Sequence, residues 1–134
     1  MIYAITYKAT GYFAPFKYCV CEFAAVNIET GDSFHCCLRV NGPWQSEEDK
    51  KYHQCQEDQL CFDDFIISLN DWLEPGFHEW FGLMSDDEHY LRDILAKTKL
   101  APDPLGFPFK AKDINHKSSL LNQARQMADI FRDV

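Results

Sequence analysis

The stretch that most restricts the fold is Asn27-Ile28-Glu29-Thr30-Gly31-Asp32, which has turn chemistry with Thr30-Gly31-Asp32 at its tip. It separates two strand-like runs, Tyr18–Ile28 and Ser33–Val40, so it predicts an antiparallel hairpin. A third apolar run, Met1-Ile2-Tyr3-Ala4-Ile5, passes into Thr6-Tyr7-Lys8-Ala9-Thr10-Gly11, a strand running out into a Thr-Gly turn. A linker containing Pro15 joins it to the hairpin, and Asn41-Gly42-Pro43 ends the unit. The first 40 residues therefore predict a three-stranded antiparallel meander.

Beyond it the pattern changes. Residues 44–60 are polar and weakly periodic, which predicts a loop with one helical turn. Phe62–Leu73 places Phe62, Phe65, Ile66, Leu69, Trp72 and Leu73 on one helical stripe, and Glu74-Pro75-Gly76 stops it. Phe77–Met84 predicts a short buried strand. Ser85-Asp86-Asp87-Glu88 has the form of a capping box, before a helix that buries Tyr90, Leu91, Ile94 and Leu95. Pro102, Pro104 and Pro108 keep Ala101–Phe109 irregular. A last helix starts near Ser118 or Ser119, with Leu120, Leu121, Ala124, Met127, Ala128 and Phe131 on its apolar stripe. A meander followed by alternating helices and strands predicts a mixed α/β layer architecture, one domain over residues 1–134.

Composition narrows the function. Apolar residues make up 46% of the chain, enough for a real core. No apolar run approaches the roughly 20 residues of a membrane span, and no basic region precedes an apolar stretch as in a signal peptide. The six cysteines are then expected to be reduced thiols in an intracellular protein. The net charge of −8 disfavours non-specific contact with phosphate backbones and makes a protein partner the better expectation. His53, Cys55 and Cys61, with His35, are candidates for zinc, but their spacing matches no strong zinc pattern.

Thr6 and Lys8 are two apart, so on a strand they share a face. A carboxylate pair there would hold a divalent metal; the chain offers a hydroxyl and an ammonium. With Cys21-Glu22-Phe23-Ala24-Ala25-Val26, Ser85–Leu91 and Ser118–Ala128, this segment resembles the DnaQ-like 3′–5′ exonucleases with an Asp-Glu-Asp-Asp-His site. The likeness extends over nearly the whole chain. It implies an RNase H-like mixed sheet flanked by helices. It puts Thr6 in the first Asp place, Lys8 in the Glu place, Asp87 in the second Asp place, Ser118 in the His place and Gln123 in the last Asp place.

These departures imply lost catalysis. In such enzymes two metal ions activate water and stabilise the leaving oxygen, and a His acts as base. Only Asp87 of the five groups survives, and one carboxylate cannot hold two ions. The expected function is a catalytically inactive binding or scaffold module, with no cofactor. The alternatives are a divergent exonuclease on single-stranded RNA or DNA, using Mg²⁺ or Mn²⁺ with Asp87, Asp86 and a displaced base His116, and nucleic-acid binding without cleavage. Asp113 is a further spare carboxylate. Lys8 is expected to lie against Asp87 and replace the metal's charge. Tyr12, Phe13, Phe16, Trp44, Tyr52, Phe107 and Phe109 are candidate contact anchors.

Overall fold

Four strands form one mixed sheet in a computed structural model that describes residues 1–10, 19–39, 46–54, 57–82, 95–101, 103–106 and 111–133. The strands are β1 (Ile2–Thr10), β2 (Cys19–Asn27), β3 (Ser33–Cys37) and β4 (Glu79–Gly82). Their order is β3-β2-β1-β4, with β2 antiparallel to β1 and β3, and β4 parallel to β1. The expected meander is therefore present, extended by one parallel strand into a mixed α/β sheet.

The hairpin follows its turn chemistry. Asn27 Oδ1 accepts from the backbone N–H groups of Glu29 and Thr30, and Gly31 takes a φ of +79° that a side chain would strain. This fixes the register, with Val26 opposite Ser33, Ala24 opposite His35 and Glu22 opposite Cys37. Between β1 and β2 the register slips after Lys8, which pairs with Glu22, while Ala9 pairs with Val20. The irregularity turns Val20 to the opposite face from Glu22 despite their even spacing.

Each face of the sheet packs on a helix. Tyr3, Ile5, Phe23, Ala25, Cys36 and Trp80 meet Phe65, Leu69 and Leu73 of α2 (Phe62–Trp72) and its end, together with Leu95 and Leu100. Phe23 and Phe65 meet edge to face at 5.2 Å between centroids. The predicted stripe is thus the buried one. On the other face Ala4, Val26 and Phe81 meet Ala124, Met127 and Ala128 of the C-terminal helix, Leu120–Arg132, and Phe81 stacks on Phe131.

One segment departs from expectation. The polar stretch after residue 46 forms a helix, α1 (Glu47–Gln54), longer than the single turn predicted. Its Tyr52 lines a cleft beside the start of the C-terminal helix. Ala111–Asp113 forms a 3₁₀ turn just ahead of the last helix, called α3 below. The expected capping box at Ser85, with Tyr90, Leu91 and Ile94, lies outside the described residues. Among the described residues no helix is long and apolar enough to cross a membrane.

Candidate functional site

The face under α3 grades from apolar to polar along β1. Ala4, Thr6 and Lys8 point the same way, and across the register Val26, Ala24 and Glu22 join them. The body of α3 covers the apolar end. Its N-terminus and the residues before it cover the polar end. Here lies a cleft of about 540 Å³, lined among others by Lys8, Glu22, Tyr52, His116, Ser118 and Gln123. The structure therefore brings together Lys8, Ser118, Gln123 and His116, which the sequence had singled out from opposite ends of the chain.

Thr6 lies beneath this cleft rather than in its wall. Its side chain is buried, and Oγ1 donates to the Leu120 carbonyl at 2.7 Å. Gln123 is also buried. Its Nε2 donates to the Ser118 carbonyl at 2.9 Å and, more weakly, to that of His116 at 3.5 Å. Ser118 is half-buried and its Oγ accepts from Gln126 Nε2 at 3.3 Å. Ser119 is the N-cap of α3, its hydroxyl accepting from the Asn122 N–H. His116 is exposed on the rim, and Asp113 is exposed in the 3₁₀ turn.

Lys8 faces the ring of Tyr52, its Nζ 5.4 Å from the centroid, a cation–π distance. Its cross-strand neighbour is the buried Glu22. The expected contact with Asp87, like Asp86, falls outside the described residues, as do Tyr12, Phe13, Phe16, Trp44, Phe107 and Phe109. Tyr52 is 46% exposed overall, yet its hydroxyl reaches Glu22. Desolvation around that hydroxyl, then the Glu22 charge, pushes the phenol above its usual range.

Glu22 is a candidate site residue that sequence reasoning passed over. A carboxylate 3% exposed needs partners. One is His35, whose Nε2 lies 2.7 Å from Glu22 Oε2 and donates to it. A further neighbour is Cys37, whose thiol is pushed up by burial and then by the Glu22 charge. One ligand atom of each of these three residues lies within 4.8 Å of the other two. The signal was available: a lone Glu inside the apolar run Cys19–Val26, and a hairpin whose tip sets Glu22 against Cys37.

The zinc candidates of the sequence divide differently in space. His35 groups with Glu22 and Cys37, Cys61 is exposed at the start of α2, and Cys55 and the His53 side chain lie outside what is described. Cys21, Cys36, Cys37 and Cys61 are free thiols. No known family model matches the chain, and no curated protein is detectably similar to it.

Proposed function

We propose that the protein is a catalytically inactive, exonuclease-like domain of RNase H-like fold that serves as a binding or scaffold module for a protein partner inside the cell. The observation that carries this reading is the chemistry at three of the positions where the resemblance expects metal-binding carboxylates. All three present hydrogen-bond donors. Thr6 gives its proton to Leu120, Gln123 gives its amide hydrogens to the Ser118 and His116 carbonyls, and Lys8 is a cation. A hard divalent ion needs oxygen lone pairs, preferably charged ones.

The sheet order supports the fold, since a three-stranded antiparallel meander with a further strand added parallel to β1 suits an RNase H-like sheet. The cleft supports a binding role: its rim carries an exposed Tyr52, and aromatic side chains are favoured as contact anchors. The charge of −8 favours a protein over a nucleic acid. Free thiols suit a reducing compartment.

A divergent nuclease is the second reading, favoured by His116 on the cleft rim. Incubation of the purified protein with Mg²⁺ or Mn²⁺ and single-stranded RNA or DNA separates the two. No shortening from the 3′ end is expected. Metal-dependent degradation abolished by Asp87→Ala would overturn the proposal.

A further inference from the structure

We infer that Glu22, His35 and Cys37 form a binding site for a single Zn²⁺ ion, with a fourth coordination position open to solvent or to a ligand atom. The site uses none of the five positions at which the resemblance expects catalytic groups, although Glu22 also lines the cleft.

The sheet builds the ligand set. His35 and Cys37 are two apart on β3 and therefore share a face. Glu22 lies directly opposite Cys37, while His35 is its diagonal neighbour across the ladder, within reach of two long side chains. One carboxylate oxygen, one imidazole nitrogen and one sulfur thus meet within 4.8 Å of one another. Ligand atoms around a tetrahedral zinc ion sit about 3–4 Å apart, given metal–ligand lengths of about 2.0–2.3 Å. The 2.7 Å contact between His35 and Glu22 needs to open by only about half an ångström for an ion to enter.

Donor chemistry selects the metal. A mixture of thiolate, imidazole and carboxylate suits Zn²⁺ and is too soft and too small a set for Mg²⁺ or Ca²⁺. The charges also balance, because a dication bound by one thiolate and one carboxylate leaves a neutral centre. Neutrality removes the cost of a buried carboxylate held only by hydrogen bonds and a neighbouring cation. On binding, Cys37 releases its proton to solvent. Nε2 of His35 gives its lone pair to the ion, so the ring hydrogen moves to Nδ1. Entry is open, because the His35 side chain is 38% exposed whereas that of Glu22 is 4%.

Cobalt reports both the site and its sulfur ligand. The full chain is stripped with a chelator under reducing conditions and titrated with Co²⁺, then Zn²⁺. One Co²⁺ per chain is expected, with a sulfur-to-cobalt charge-transfer band that Zn²⁺ abolishes. Cys37→Ser should remove that band and weaken Zn²⁺ binding by at least about 100-fold. His35→Gln, at a partly exposed side chain that the fold tolerates, should weaken binding comparably while the band persists at high Co²⁺. Cys61→Ser should change neither. The inference is overturned if the wild-type chain gives no charge-transfer band, if the band survives Cys37→Ser, or if His35→Gln leaves the Zn²⁺ affinity unchanged.

Discussion

The Thr6 hydroxyl is committed to the Leu120 carbonyl, and this commitment decides what substitutions at position 6 do. Thr6→Val keeps the shape and removes the donor, so it should cost about 1 kcal/mol in urea denaturation. Thr6→Asp should cost more, about 3 kcal/mol, because it buries a carboxylate facing a carbonyl oxygen. An acid at this position is therefore expected to destabilise the chain. Cys36 makes a prediction of opposite character. Burial, followed by the neighbouring Cys37, pushes its thiol from 9.0 up to about 11. The folded state then holds this proton more tightly than the unfolded chain does. The resulting stability is complete below about pH 9 and is lost as pH rises toward 11, a loss of roughly 3 kcal/mol. Denaturation midpoints across that range should fall, and Cys36→Ala should flatten the slope. At the residue scale the sequence singled out positions that the structure brings to one cleft, but not their hydrogen-bonding state. Thr6 and Gln123 were legible as polar side chains without charge. That their polar atoms are consumed by backbone carbonyls depends on how α3 lies on β1, which no local pattern contains.

The elements themselves were largely legible. The α2 and α3 stripes and the Asn27–Asp32 turn are local patterns, and the structure uses them as read. The start of α3 was placed to within a residue, since Ser119 accepts from the Asn122 N–H at 3.2 Å. Ser119→Ala should cost about 1 kcal/mol, measured by thermal or chemical denaturation. A different constraint acts on β4, where a Cβ at Gly82 would come within 2.8 Å of the Ile5 carbonyl oxygen. Gly82→Ala should push β4 away from β1 and cost about 1–3 kcal/mol in the same assay. The close approach of two parallel strands was invisible in the glycine's sequence context. The α1 helix was also underread, because its segment is polar and weakly periodic.

For the molecule as a whole, charge and topology act together. The cleft gathers Lys8, His116 and Lys117, yet the chain carries a net charge of −8. Long-range repulsion of phosphate should outweigh these three local groups. Affinity for single-stranded RNA or DNA should stay weaker than about 1 µM at physiological salt, with fluorescence anisotropy as the measurement. Tighter, steeply salt-dependent binding would instead favour the reading of nucleic-acid binding without cleavage.

By itself the sequence determined the antiparallel meander, α2, β4 and α3 and their order, because strand alternation, helical stripes, caps and turn residues act over a few neighbours. It also determined that Thr6, Lys8 and Gln123 cannot offer the charged oxygen ligands of a two-metal centre. Only the tertiary structure decided which residues meet. The register slip after Lys8, the placing of α3 over Thr6 and the grouping of Glu22, His35 and Cys37 each join residues distant in the chain. Such contacts follow from sheet register and helix packing, which are settled by the core as a whole rather than by any one stretch of it.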